Sequence, residues 1–321
     1  MQSHDALKSL VLTFEQLPPD AASLAGGKGA CLGRISDAGL NVPRGYVVCT
    51  TAFDAFLECH AACSALAEGI RNIDVDDSVS LAAESERIRI LIEGGAMPTE
   101  IANAVHRAYV ALGSNVPVAV RSSAVGEDGE AASFAGQQET FLNVTGGEDV
   151  IARVKQCWAS FFSPRALMYR FKKGAVCETR MAVVVQVMAF GEKSGVMFTV
   201  DPVQKRTDRM VIEAVFGLGE GIVSGLITPN QYVIDRDDCY LLDEFILPQR
   251  IAIVPGEHGG AKEVELIEAE AQRRVLNEGE LNCLRHMGLE LEALFGRPQD
   301  VEWCICGREL FVLQSRPITA I

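Results

Sequence analysis

The sequence predicts a protein of mixed helices and strands, of the α/β or α+β class, folded as two lobes. Stretches with apolar residues at helical spacing alternate along the chain with short apolar runs that are typical of buried strands. The chain has 321 residues, and a domain commonly holds about 150 residues, which favours two lobes. We expect the N-terminal lobe to span residues 1–190 and the C-terminal lobe to span residues 191–321.

Helical patterns dominate the first hundred residues. Leu32 and Ile35 are spaced as on one face of a helix. Thr50 or Thr51 can cap the helix that follows a short apolar strand. The elements expected here are a helix at 29–38, a strand at 46–48, a helix at 50–57 and two amphipathic helices at 81–92 and 100–112.

Beyond residue 115 the pattern turns to strands. Continuous apolar runs of five to eight residues alternate with segments rich in polar residues and glycine, as in a sheet with one or both faces buried. The expected elements are a strand at 116–121, a loop at 122–138, a helix at 149–169 interrupted at Ser163-Pro164, strands at 181–188, 196–200 and 210–215, and a hairpin at 300–316.

The charge and the apolar segments exclude several classes of function. Lys and Arg number 29 against 43 Asp and Glu, a formal net charge of −14, which argues against nucleic acid as a partner because phosphate backbones bind clustered cations. A small anionic ligand stays possible, since a local pocket of Arg and Lys can override a distant negative field. No secretory signal and no apolar run of about 18 residues is present, so we expect a cytoplasmic protein with no membrane partner.

The first candidate site residue is Lys28, in the run Gly26-Gly27-Lys28-Gly29 ahead of a helix. Backbone N–H groups at a helix N-terminus can bind a phosphate, and a lysine adds a point charge. So short a glycine motif also arises by chance as a plain turn with a solvated lysine. The motif is not a Walker A loop, and both interpretations stay open on this motif alone.

Arg121 is the second candidate, at the expected end of the strand at 116–121. A buried cation is costly unless it is paired or meets an anion. Two serines and a glycine-rich stretch follow, which suits a flap over phosphates. A structural salt bridge ahead of a surface loop fits the same residues equally well.

The alternation of apolar and polar residues along both strands sets the register that we expect for the C-terminal hairpin. If Cys306 pairs with Leu310 across a three-residue loop, Trp303 lies opposite Leu313 on an apolar face. A slip of one residue would turn one strand's apolar side chains to the wrong face.

The same register places Glu302 opposite Gln314 and Asp300 opposite Arg316 on the other face of the hairpin. Carboxylate and amide oxygens are hard ligands of the kind that bind Mg²⁺ together with nucleotide phosphates. A cross-strand polar pair on a solvated sheet face is the ordinary alternative.

Seven motifs, taken in order, resemble the N-terminal ATP-binding domain of phosphoenolpyruvate synthase, pyruvate phosphate dikinase and rifampin phosphotransferase. The resemblance covers residues 12–319. The motifs are Gly-Gly-Lys28-Gly, Val-Pro43-Arg-Gly, Val-Arg121-Ser-Ser, Ser133-Phe-Ala-Gly136-Gln-Gln-Glu-Thr140, Ser194-Gly-Val-Met-Phe-Thr-Val-Asp-Pro202, Gly217-Leu-Gly-Glu220 and Leu-Gln314-Ser-Arg316-Pro317.

The resemblance implies an ATP-grasp fold that holds ATP and Mg²⁺ between two lobes beneath a mobile flap. It also implies that the cations neutralise the charge that develops on the transferring phosphates. The roles it implies are phosphate binding by Lys28, Arg121 and Arg316, flap positions at Gly136 and Thr140, an adenine-side hinge at Gln186, and Mg²⁺ binding by Glu302 and Gln314.

The family chemistry also implies partners. ATP is split into AMP and a histidine-linked pyrophosphate on a swivelling domain, and a further domain binds the final acceptor, of the pyruvate, rifamycin or phenol type. None of the five histidines here lies in a loop like that of the phosphorylated histidine, so we expect the swivel and acceptor parts on other domains or subunits. An ATP-grasp carboxylate ligase that yields ADP, or a non-catalytic nucleotide-sensing subunit, is the alternative.

Overall fold

A computed structural model describes residues 9–59, 77–126, 139–173, 180–257 and 259–319. The chain divides into two compact units. The first contains the described residues of Met1–Gly33 and Arg44–Val187, and the second those of Arg34–Pro43 and Met188–Ile321. Helices and strands occur in both, and the mixed class that the sequence predicts is confirmed.

The first unit contains a five-stranded sheet in which every neighbouring pair of strands is antiparallel. Antiparallel pairing selects the α+β class from the two that the sequence left open. The strand order is β1-β2-β5-β3-β4, and the strands are β1 (Val11–Thr13), β2 (Gly45–Val48), β3 (Val118–Ala124), β4 (Thr140–Val144) and β5 (Met181–Val187).

Helices of the first unit bury one face of this sheet. Trp158 stacks on Phe53 with ring centroids 5.0 Å apart, and both side chains belong to a core that includes Tyr46, Val120 and Val185 from three strands. Helix α1 (Ala22–Asp37), whose last four residues belong to the second unit, packs on the opposite face against Val47. The helices that contribute to the core are α2 (Thr50–Glu58), α3 (Ser78–Gly94), α4 (Thr99–Leu112), α5 (Gly147–Ser160) and α6 (Pro164–Lys173).

The second unit contains a six-stranded antiparallel sheet in the order β13-β12-β6-β7-β8-β9. Its strands are β6 (Lys193–Phe198), β7 (Arg209–Phe216), β8 (Asn230–Asp235), β9 (Leu241–Phe245), β12 (Gln299–Cys306) and β13 (Glu309–Pro317). A separate antiparallel pair is formed by β10 (Ile251–Pro255) and β11 (Ala261–Glu265), and the helices are α7 (Glu220–Val223), α8 (Glu268–Ala271) and α9 (Glu278–Phe295).

Helix α9 packs on one face of the six-stranded sheet. A Cβ atom added to Gly288 would lie 2.9 Å from Cε of Met197 in β6, so the helix backbone approaches this strand closely. Arg236 and Thr199 both bond the carboxylate of Glu292, which ties the helix to the sheet margin. The opposite face of β6 and β12 therefore points away from α9.

Most elements predicted before residue 216 are confirmed, including the break between α5 and α6 at Pro164. The expected strand at 196–200 is shifted to Lys193–Phe198. Strands β1 and β4 were not predicted, and neither was any element from α7 to α9. Within the described ranges, no helix has the length and apolar content that a membrane span requires.

Candidate functional site

Arg121 lies in the middle of β3, not at its end as the sequence predicts. Its Cα faces Val184 of β5 on one side and Thr140 of β4 on the other. The strand continues because Ser122 and Ser123 pair with Val183 and Ala182 of β5. Their hydroxyls are satisfied within the fold: Oγ of Ser122 donates to the carbonyl of Glu139 at 3.3 Å, and Oγ of Ser123 donates to a carbonyl of α1. Residues 122–124, expected in a loop, are thus strand.

Three of the predicted site residues share one face of the five-stranded sheet. Gln186 faces Ala119, two residues before Arg121, and Thr140 faces Arg121 directly. Since alternate residues of a strand point to the same side, Arg121, Thr140 and Gln186 lie on the face opposite the core residue Val120. Gln186 is only 2% exposed, so its amide is fixed within the sheet.

Lys28 lies close to the same strand. Its Nζ donates to the main-chain carbonyl of Ser122 at 3.1 Å, and the side chain is half-buried. A solvated turn lysine would not show this bond. Helix α1 packs on this side of the sheet, because a Cβ added to Gly29 would lie 3.0 Å from a methyl group of Val47. Gly136, the other candidate from this part of the chain, lies outside the described residues.

The first unit therefore presents two cations, a hydroxyl and an amide on one sheet face. Lys28 and Arg121 are held by the same strand, one through a carbonyl of that strand and the other as part of it. Such a group can bind an anion with several charges, since a phosphate chain accepts both point-charge and forked hydrogen bonds.

In the second unit, the hairpin turn differs from the predicted one. Cys306 pairs with Glu309 across the two-residue loop Gly307-Arg308, not with Leu310 across three residues. Trp303 consequently faces Val312, which is buried, and not Leu313. The three-residue loop and the apolar pair expected from alternation are both wrong.

The polar pairs of the hairpin nevertheless face each other as the sequence predicts. Glu302 lies opposite Gln314, and Asp300 lies opposite Arg316. A β-bulge between Glu302 and Trp303 restores this register, because it adds one residue to β13 and cancels the shorter turn.

Asp300 and Arg316 form an ion pair at the end of the hairpin away from the turn. Nε and Nη2 of Arg316 lie 2.8 and 2.7 Å from Oδ2 of Asp300. Burial raises the pKa of Asp300 above its ordinary value, although the guanidinium of Arg316 lowers it, and the charge of Glu302 raises it further. The pair therefore places a guanidinium beside Glu302 and Gln314 in a fixed orientation.

Glu213 is a further acidic residue on this face that the sequence analysis missed. The row of facing residues runs from Glu302 through Val196 of β6 to Glu213 of β7 and then to Gln231 of β8. Nε2 of Gln231 lies 3.4 Å from Oε1 of Glu213. The alternation of side chains along residues 210–215 predicts the face on which Glu213 lies. Only the strand order shows that β7, which carries Glu213, lies two strands away from β12, which carries Glu302.

Comparison with known proteins identifies the family. Residues 22–321 match the family model described as "Pyruvate phosphate dikinase, AMP/ATP-binding domain". The chain belongs to this family. The resemblance drawn from the sequence motifs is thereby confirmed, and the α+β fold is that of a pyruvate phosphate dikinase AMP/ATP-binding domain.

Relatives of this AMP/ATP-binding domain include two kinds of enzyme. The chain is 44% identical, over 97% of its length, to a probable phosphoenolpyruvate synthase of Archaeoglobus fulgidus, of which it covers 42%. It is 39% identical over 99% of its length to a probable phosphoenolpyruvate synthase of Methanocaldococcus jannaschii, covering 27% of that protein. It is 34% identical over 98% of its length to the rifampicin phosphotransferase of Bacillus cereus, covering 36%. The chain thus spans less than half the length of these relatives.

The hairpin of this AMP/ATP-binding domain has oxygen donors suited to Mg²⁺. Glu302 supplies a carboxylate and Gln314 an amide oxygen from directly opposite positions. Across the part of the chain that the structure describes, no three His, Cys, Asp or Glu side chains come together as a metal cage. Mg²⁺ commonly binds one or two protein ligands and completes its shell with phosphates and water, and this donor set fits that pattern.

We expect removal of Arg316 to raise the pKa of Asp300 further, because its guanidinium opposes the effect of burial. With a raised pKa in the folded state, Asp300 keeps its proton at pH values above 3.8, where the same carboxyl in the unfolded chain has released it. The free energy of unfolding then falls as pH rises through the window between the two values. Each further pKa unit lowers stability at neutral pH by about 1.4 kcal/mol.

The measurement is urea unfolding of Arg316→Ala from pH 4 to pH 7. Arg308→Ala, at an exposed arginine in the hairpin turn, is the matched control and should follow the wild-type curve. A wild-type pH dependence in Arg316→Ala would show that this arginine does not control the ionisation of Asp300.

Proposed function

We propose that this chain is the ATP-binding module of a dikinase-type phosphotransferase. Family membership supports nucleotide binding. The observation that carries the assignment of residues is the fixed placement of Lys28 and Arg121 on one face of the first unit's sheet. Two cations placed by one strand on one face can together neutralise a ligand that carries several negative charges.

In this proposal, each unit contributes a different part of the chemistry. Lys28 and Arg121 neutralise phosphate oxygens. The Thr140 hydroxyl donates a hydrogen bond to the phosphates, and Gln186 lies on the side of the site that binds adenine. Glu302 and Gln314 would hold Mg²⁺, which would supply positive charge to the phosphates, and Arg316 neutralises charge on the transferring group. Positioning and charge neutralisation are most of what phosphoryl transfer asks of a protein.

The acceptor in this proposal is a histidine on another domain or subunit. An imidazole nitrogen attacks the β-phosphorus of ATP, the bond from that phosphorus to the α–β bridging oxygen breaks, and AMP leaves. The histidine then carries the pyrophosphoryl group, and hydrolysis of its terminal phosphoryl group releases inorganic phosphate. The phosphohistidine that remains transfers its phosphoryl group to an acceptor of the pyruvate, rifamycin or phenol type. Relatives named phosphoenolpyruvate synthase and rifampicin phosphotransferase are between two and four times as long as the part that this chain matches, which leaves room in them for such domains.

Substitution of Arg121 tests the phosphate site. Arg121→Ala should weaken Mg-ATP binding by about thirty- to a thousand-fold, as expected for a lost buried charged contact of about 2–4 kcal/mol. Arg121→Lys should restore only part of the affinity, because the planar fork is lost. Isothermal titration calorimetry measures both, with Arg107→Ala, at an exposed helical arginine, as the control. Wild-type affinity in folded Arg121→Ala would remove this residue from the site.

The metal assignment predicts a specific defect in Glu302→Gln. Loss of one negative oxygen ligand should reduce the dependence of ATP affinity on Mg²⁺ by about tenfold or more. Even mutation of a group that only hydrogen-bonds to a metal ligand commonly lowers metal affinity by about tenfold or more. ATP affinity without metal should stay close to that of the wild type. Glu309→Gln, at an exposed position of the same hairpin, is the control. An unchanged Mg²⁺ titration in Glu302→Gln would exclude Glu302 as a ligand.

The nucleotide product separates the proposed function from its alternatives. The isolated chain should bind Mg-ATP and turn it over slowly, and addition of a histidine-bearing swivel domain should yield AMP and acid-labile phosphate on that domain. Chromatography of the nucleotides and acid treatment of the labelled protein give both readouts. Formation of ADP with a carboxylic acid substrate would favour a ligase. Tight ATP binding with no product under any of these conditions would favour a nucleotide sensor.

A further inference from the structure

We propose that Ser123 is a positioning residue that sets the location of Lys28 by capping helix α1 from the neighbouring strand. The proposal rests on the proposed function in one respect, namely that Lys28 binds phosphate. The position of Ser123 itself follows from the geometry of the first unit alone.

A kink at Gly26 creates the need for a cap. Gly26 has φ 67° and ψ 179° inside α1, a region that is essentially open only to glycine. The helical run that contains Lys28 therefore begins just after Gly26, which occupies the N-cap position. An N-cap side chain normally accepts a hydrogen bond from the second or third N–H of the run, and glycine has no side chain to do so.

Ser123 supplies the missing group from β3. Its Oγ accepts a hydrogen bond from the N–H of Gly29, the third residue of the run, at 3.1 Å. The same hydroxyl donates to the carbonyl of Ala25, on the other side of the kink, at 2.8 Å. Ser123 is fully buried, so water does not compete for either bond. One hydroxyl thus joins both sides of the kink to the strand.

The contact is too close to allow any other residue at the kink. A Cβ added to Gly26 would lie 2.1 Å from the carbonyl oxygen of Ser123 and 2.4 Å from its Oγ. Helix and strand therefore touch through backbone and one hydroxyl, with no flexible side chain between them.

Lys28 is consequently fixed at two points. The start of its helix is held through Ser123, and its Nζ is held by the carbonyl of Ser122. Arg121 directly precedes these two serines on β3. A single strand thus sets both cations, which lowers the reorganisation needed when a phosphate chain binds.

A double-mutant cycle distinguishes this role from a merely structural one. Lys28→Ala, Ser123→Ala and the double variant are compared by calorimetry with Mg-ATP. If Ser123 acts through Lys28, Ser123→Ala should weaken binding about three- to tenfold in the wild type and leave the affinity of Lys28→Ala unchanged. An equal loss in both backgrounds would overturn the proposal. Ser85→Ala, which also removes a buried hydroxyl bonded to a carbonyl, should leave affinity unchanged.

A second readout does not depend on nucleotide. The NMR signal of the Lys28 side-chain ammonium, assigned by its loss in Lys28→Ala, should shift in Ser123→Ala and stay in place in Ser85→Ala. Ser123→Cys, which keeps a weak donor, is measured in the same way and should shift less, so the test does not rely on one folded variant. An unmoved Lys28 signal in Ser123→Ala, or a shift in Ser123→Cys larger than that in Ser123→Ala, would refute positioning. Wild-type ATP affinity in Lys28→Ala would refute only the phosphate role.

Discussion

The close contact between α1 and β3 is the constraint on which the first unit's polar face depends. Gly26 touches the main chain of Ser123, and the Ser123 hydroxyl bonds both sides of the kink. Because β3 is an interior strand bonded to β5 and β4, a helix fixed to it is fixed to the whole sheet. Arg121, Thr140 and Gln186 are placed by the same hydrogen-bond ladder. The position of Lys28 is therefore a property of the sheet and not of a flexible loop.

In the second unit, a bulge has the comparable role. A two-residue turn alone would move Gln314 and Arg316 away from the face of Glu302, since a shift of one residue reverses every side chain. The bulge places one extra residue in β13, opposite the step from Glu302 to Trp303. This residue cancels the shift only for the part of the hairpin on the side of the bulge away from the turn. The turn end is thus free to form a tight loop while the far end keeps its polar face. Sequence alternation correctly predicted the polar pairs and was wrong about the loop that connects them.

Much of the fold could be predicted from sequence, and the failures have physical causes. The long amphipathic helices and apolar strands before residue 216 follow from periodicity. Helix α9 was missed although its signals are present: Asn277 and Glu280 form a capping box, and Gly296 ends the helix in a left-handed conformation. The end of β3 carries no such local signal, because Ser122 and Ser123 are strand residues through pairing with Val183 and Ala182 of β5, which is distant in sequence. For the same reason, alternation could not show that Glu213 shares a row with Glu302.

The candidate residues form pairs two apart along a strand, and strand alternation explains the motifs that contain them. Arg121 with Ser123, Asp300 with Glu302, and Gln314 with Arg316 each share a face. In the first two pairs one residue holds a candidate site residue: Ser123 bonds the helix that carries Lys28, and Asp300 bonds Arg316. The residue between each pair points into the opposite, buried side, where Ser122, Val301 and Ser315 are at most 2% exposed. In the proposed function, the short motif Val-Arg-Ser-Ser thus combines a proposed ligand position, a supporting group and a core contact, and Gln-Ser-Arg combines two proposed ligand positions with a core contact.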